Sequence, residues 1–385
     1  MNNLRRDARS FDFILLALVI ALAAFGLLMV GSTTGLGNGT MSPTFINQLI
    51  FFTTGIGILL LMAFVNYEFI AKFYIPIYIV NITFLGIVLL LPRQAGVARW
   101  IGLEIGDFMF GIQPSEFAKI FMIIVLAKII DRYRDKINHP LVLGLILAAT
   151  ALPVILIFMQ PSLSASTVTA VIMLTLLYCG KISYKYVIAV IVVIIPAVVF
   201  FYIDLHVENP ILVDRILNEW QHDRIWNFLY PDYGDGDATF QNEWALIALS
   251  SGLLTGKGLF ENQIFVPLDT NDFIFSIIGA EFGFIGSVSV ILVVLLIVLR
   301  CLMIAHRSEV FLGKLIATGV AVTIAFQAFT HVGINTWLLP NTGMNFPFVS
   351  SGGSSLWVFM AMIGLVINVG MTREYSMFES MGKKE

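Results

Sequence analysis

Stretches of about 20 apolar residues recur along this chain. They constrain its fold more than anything else in it, because a hydrocarbon layer ~30 Å thick is crossed only by structures that pair every backbone N–H and C=O internally. Ten such stretches run from roughly 11 to 31, 45 to 65, 73 to 92, 114 to 130, 140 to 159, 163 to 180, 186 to 203, 273 to 299, 311 to 332 and 354 to 371. Each predicts a helix. A barrel strand would be about ten residues long and alternate apolar with polar side chains, whereas Ile291 to Leu299 is apolar on every face. The fold class expected is an all-α polytopic membrane protein. It forms one domain over 1–385, with about ten transmembrane helices and a large extracytoplasmic loop, 204–272, between the seventh and the eighth. Composition agrees: 12 % of the 385 residues are charged, half of the ~25 % usual in soluble domains. Lipid must solvate most of such a surface, and nucleic acid is excluded as a partner.

Charge placement sets the orientation. With Arg5, Arg6 and Arg9 in the cytoplasm, ten crossings put 16 of the 22 Lys and Arg residues inside. Arg93, Arg99, Lys119, Arg215, Arg224 and Lys257 are left outside or at the outer boundary. Both termini are then cytoplasmic, and the first span, followed by no Ala-x-Ala-like site, is expected to be retained. Cys179 and Cys301 fall at cytoplasmic helix ends, so no disulfide is expected. The five His show no metal-ligand spacing.

Polar material collects on the outer face. The 204–272 loop holds twelve of the 25 Asp and Glu residues, and a structureless loop of that length is uncommon. Within it, 241–252 reads as an amphipathic segment lying along the membrane interface, followed by the glycine-punctuated turn Thr255-Gly256-Lys257-Gly258. Two further outer loops span about 93–113 and 333–353. The first ends at Gln113-Pro114, with the proline where a helix can begin.

Ionisable groups in or beside spans are costly and are read as functional by default. Glu116 and Lys119, three apart, share one helix face and form either a structural ion pair or a charged support for a third group. Asp272 stands at the outer mouth of the eighth span, where the helix dipole favours a carboxylate; it is either a simple cap or a functional acid. Glu281, nine residues on, points to the opposite side at ~100° per residue and reads as structural. Arg99, Arg215, Arg224, Lys119 and Lys257 are outer cations that either pair with local acids or, with or without Mg²⁺ or Mn²⁺, offset a pyrophosphate. Walker A, Rossmann and HExxH signatures are missing.

The same residues form longer runs. In chain order they are Arg99-Trp100, Gln113-Pro114-Ser115-Glu116-Phe117-Ala118-Lys119, Arg224-Ile225, Leu254-Thr255-Gly256-Lys257-Gly258 and Asp272-Phe273-Ile274-Phe275. Ala280-Glu281-Phe282-Gly283, Leu339-Pro340-Asn341-Thr342-Gly343, Phe346-Pro347-Phe348-Val349-Ser350 and Gly352-Gly353-Ser354-Ser355 follow. Together they resemble the SEDS family of RodA, FtsW and SpoVE proteins, the Leu254–Gly258 run favouring a RodA-like member. The resemblance implies a peptidoglycan glycosyltransferase that polymerises lipid II, an undecaprenyl-pyrophosphate-linked disaccharide peptide, at the outer face of the cytoplasmic (inner) membrane. It implies a class B penicillin-binding protein as partner. Asp272 takes the catalytic position of the family, acting as general base on the acceptor hydroxyl. Glu116 and Lys119 take supporting positions, and Arg99, Arg224, Lys257, Gln113 and Ser350 are further substrate-binding or supporting candidates. The chain departs from the family pattern at Ser162, where an Asp is usual, at Thr270-Asn271 for His-Thr, at His331 for Asn and at Ser351 for Tyr. Intramembrane charges are equally at home in a transporter of lipid-linked precursors, and a scaffold for a transpeptidase is the third reading.

Overall fold

The structure is a computed structural model, and it describes residues 4–6, 10–39, 41–91, 100–105, 108–204, 219–230, 237–262 and 264–374. Thirteen α-helices are found among these residues. They are α1 (Phe13–Thr33), α2 (Pro43–Phe64), α3 (Tyr67–Lys72), α4 (Tyr74–Leu90), α5 (Pro114–Arg132), α6 (Pro140–Met159), α7 (Leu163–Cys179), α8 (Tyr184–Asp204), α9 (Glu219–Leu229), α10 (Asp237–Ser251), α11 (Ile274–Arg307), α12 (Phe311–Asn335) and α13 (Gly353–Met371). Each of the ten apolar stretches coincides with a helix. The chain is an all-α polytopic membrane protein, in which α1, α2, α6, α11, α12 and α13 are long and apolar enough to cross a bilayer.

Local chemistry sets the helix starts. Asp12 caps α1 by accepting from Leu15 N at 2.8 Å, and Ser42 caps α2 by accepting from Phe45 N at 3.1 Å. Pro43, Pro114 and Pro140 each open a helix, where a missing N–H costs nothing. Helices α5, α12 and α13 form the interior: α12 packs against α5, α7, α11 and α13, and α13 lies along α2. At the periphery, α8 exposes Ile188, Val192, Ile195 and Val199, as lipid solvation requires.

Two features have no counterpart in the apolar pattern. Short ribbons join β1 (Leu4–Arg6) to β4 (Thr372–Glu374) and β2 (Ile101–Ile105) to β3 (Phe108–Ile112), both antiparallel. The first brings the two ends of the described chain together. The second feature is a break in α11 at Gly283, whose φ of 64° and ψ of −163° are open almost only to glycine. The loop after α10 is spliced into this break. Lys257 N and Gly258 N donate to Ala280 O and Glu281 O at 3.0 Å each, while Phe284 N and Ile285 N donate to Leu253 O and Leu254 O at 2.9 and 3.1 Å. The helix thus completes its own ladder with another segment's backbone.

Candidate active site

Helices α5, α7, α11 and α13 begin, and α12 ends, at one end of the bundle. There a cleft of about 160 Å³ is lined by Gln113 just before α5, Glu116 and Lys119 of α5, Ser162 and Ser164 at the start of α7, Arg224 of α9, Asn271 and Asp272 before α11, Gln327 of α12, and the Gly343–Asn345 loop, with Trp100 also on its wall. Lys119 is 1 % exposed and Glu116 6 %. Lys119 Nζ donates to both Glu116 carboxylate oxygens at 2.8 Å and to Gln327 Oε1 at 3.1 Å, which uses all three ammonium protons. The pair is therefore fully satisfied inside the protein and presents a fixed dipole to the cleft.

Across the cleft, Arg224 and Asp272 stand together. A β-carbon on Gly343 would lie 3.3 Å from Asp272 Oδ2 and 3.4 Å from Arg224 Nη1, so this glycine, at a φ of 66°, lets the loop close onto both charges. Burial draws the Arg224 guanidinium below its ordinary pKa, and attraction by Asp272 works against that. With Ser162 in place of an acid, the two carboxylates and two cations of the described cleft wall balance.

Asp272 does not cap α11. Phe273 occupies the capping position and its side chain makes no capping bond. The stretch before the helix is instead held from outside it. Ser350 Oγ donates to Asn271 O at 2.7 Å, Ser351 N donates to Thr270 O at 2.8 Å, and Ser351 Oγ bonds Asn271 Oδ1. Two departures from the family pattern, Asn271 and Ser351, are thus partners of each other. A third, His331, is buried; its Nδ1 donates to Met344 O at 2.6 Å and its ring stacks on Phe346.

The structure sorts the sequence candidates. Asp272, Glu116, Lys119, Arg224 and Gln113 meet in the cleft; Ser350 stands behind it, holding backbone. Lys257 is not among the lining residues of this cleft: its side chain is exposed, and its N–H closes the α11 break. Arg99 lies outside the described residues. Because Asp272 precedes α11, the helical-wheel relation to Glu281 does not hold, yet the two carboxylates are apart: Glu281 accepts from Ser32 Oγ of α1. Mg²⁺ or Mn²⁺ finds no three-ligand group of His, Cys, Asp or Glu among the described residues, and both Glu116 oxygens face Lys119. Sequence reasoning missed Gln327 and Asn345, which carry no motif spacing and enter the cleft only through folding, and it noted Trp100 only as the neighbour of Arg99.

A charged polar cleft sunk into one end of a helical bundle of this apolarity defines an integral membrane protein that acts on something reaching it at the membrane surface. The chain belongs to the FtsW/RodA/SpoVE family: the family model described as Cell cycle protein matches residues 12–375. It is 30 % identical over 403 residues to the probable peptidoglycan glycosyltransferase FtsW of Bacillus subtilis (strain 168), covering 99 % of this chain and 95 % of the relative. It is equally 30 % identical, over 382 residues, to the peptidoglycan glycosyltransferase MrdB of Escherichia coli (strain K12), covering 96 % and 95 %. The Leu254–Gly258 run therefore does not set it with one branch. Its fold is shared with a chain solved in work described as "Structural coordination of polymerization and crosslinking by a peptidoglycan synthase complex", at a TM-score of 0.77, 23 % identity and coverage of 94 % and 97 %. The rod shape determining protein RodA of Thermus thermophilus matches at 0.66, 23 % identity and coverage of 94 % and 96 %. The protein is an integral protein of the inner membrane.

Proposed function

We propose that this chain is a peptidoglycan glycosyltransferase that polymerises lipid II at the outer face of the cytoplasmic membrane, with Asp272 as the proton acceptor, beside a class B penicillin-binding protein. The observation that carries the reading is Asp272 in a polar cleft beside Arg224, on a backbone pinned by Ser350 and Ser351 and by Asn335 of α12. Asp272 removes the acceptor hydroxyl proton as the oxygen bonds to the anomeric carbon. The bond from that carbon to the lipid pyrophosphate breaks, and the leaving oxygen takes the electron pair. A single direct displacement inverts the anomeric centre. A pyrophosphate whose charge is offset leaves without protonation, so no second catalytic carboxylate is needed, unlike a glycosidase. Arg224 is placed to offset it, while Glu116 and Lys119 fix the field of the opposite wall.

The β1–β4 ribbon supports the orientation. Paired ends lie on one side of the membrane, as an even number of crossings requires; with those ends in the cytoplasm, the cleft faces out. The partner is supported by the synthase complex named for a fold relative.

Purified protein incubated with labelled lipid II tests the reading. Polymer is expected from wild type, with a loss of roughly 10²- to 10⁴-fold in Asp272→Asn, the range for removing a general base. Polymer from neither protein would remove catalysis, and a vesicle flipping assay would then separate a carrier from a scaffold. Equal polymer from both would remove Asp272 from the mechanism.

A further inference from the structure

The first turn of α11 lacks a cap of its own, and another helix provides one. Asn335, in the last turn of α12, is 1 % exposed. Its Oδ1 accepts from Ser276 N at 3.0 Å and Ser276 Oγ at 2.8 Å, and its Nδ2 donates to Asp272 O at 3.0 Å and His331 O at 2.9 Å. Both donors and both acceptor sites of the amide are thereby used. Ser276 N is also shared with Phe273 O at 3.0 Å, a three-centre bond of the kind common at helix ends. An ordinary N-cap side chain accepts from the third helical N–H. Asn335 does the same for α11, and in addition grips the carbonyl of Asp272.

One turn earlier, His331 holds Met344 O, and Met344 follows Gly343, the residue that closes onto the Asp272 carboxylate, in the lining of the same cleft. A single turn of α12 therefore holds both the backbone of Asp272 and the loop that closes onto its carboxylate. We propose that Asn335 is a positioning residue for Asp272, capping α11 in trans and fixing the carboxylate at working distance from the acceptor hydroxyl. This role rests on the proposed function of Asp272. A misplacement of about 1 Å in a reacting group costs on the order of 10²-fold in rate, and the backbone of Asp272 is where such a shift would begin.

Asn335→Asp tests it, because it keeps an oxygen for Ser276 while replacing the donor with an oxygen facing Asp272 O and His331 O. Two readouts are needed: hydrogen exchange of peptides covering 268–277 in nanodiscs, and kcat and KM for lipid II. Exchange in that segment should rise about tenfold with α5 and α13 unchanged. The turnover number should fall roughly 10- to 100-fold with KM held within about twofold, and Asn335→Gln should recover part of kcat. Ser276→Ala, a milder change, should lower kcat about two- to fivefold, as loss of one hydrogen bond of ~0.5–1 kcal/mol implies. A loosened segment with unchanged kcat would overturn the role, as would a loss carried by KM or by unfolding of the whole chain. Wild type that makes no polymer, with the segment loosened by Asn335→Asp all the same, would overturn it too, and would mark the failure as one of function and not of anchoring.

Discussion

At the residue scale, the cleft separates charges that are fixed from charges that are available. Glu116 and Lys119 satisfy each other inside the protein, so Lys119→Met should leave an unpaired buried carboxylate and cost about 3–5 kcal/mol. Thermal unfolding in detergent should show this, with recovery in Glu116→Gln/Lys119→Met. If the pair also sets the field of the cleft, that stable double variant will still polymerise poorly, which a purely structural pair would not produce. Lys257→Ala should keep polymerisation within about twofold of wild type, since its side chain is exposed outside the cleft. Asp269, in the turn before Asp272, is pushed by burial from 3.8 up to about 6, against a backbone hydrogen bond at Thr270 that lowers it. A carboxyl raised in the folded state contributes stability that is present below about 3.8 and lost as pH rises through about 6. Asp269→Asn should therefore melt higher than wild type at pH 7.5, and the gap should close by pH 4. The main site residues were legible because intramembrane ionisable groups are rare; Asn335 was not, because one Asn at the end of an apolar run has no local signal.

At the scale of elements, the ten helices were legible because each buries or exposes a run of side chains that water would reject. The α11 break was not. The glycines of α11 carry no local signal of a break, and the segment that fills it lies some 25 residues upstream, so neither half discloses the bond between them. Helix α10 shows the same blindness. Read as lying on the interface, it docks one face on α11, a contact its sequence did not announce, with Asn242, Ala245 and Ala248 buried and Gly252 against the Gly279 carbonyl. A β-carbon at Gly283 would run into Gly256 N in a conformation that alone costs roughly 1–3 kcal/mol. Gly283→Ala should lower the melting temperature sharply and shrink the monodisperse peak in size-exclusion chromatography, whereas Gly57→Ala, with open space around it, should do neither.

At the scale of the whole molecule, Lys and Arg placement points to cytoplasmic ends, and the ribbon between the chain ends adds an independent argument that both lie on one side. Fluorescent-protein fusions at either end should both be bright, and alkaline phosphatase at the C-terminus should be inactive; an active phosphatase fusion would reverse the assignment. The spliced helix carries a mechanical consequence. Amides of the segment after α10 and of the helix leading from Asp272 belong to one continuous ladder, so a displacement imposed on that loop is transmitted along α11 toward the Asp272 carboxylate, the proposed proton acceptor. A neighbour that grips the loop would thereby hold a throttle on turnover without ever meeting the sugar.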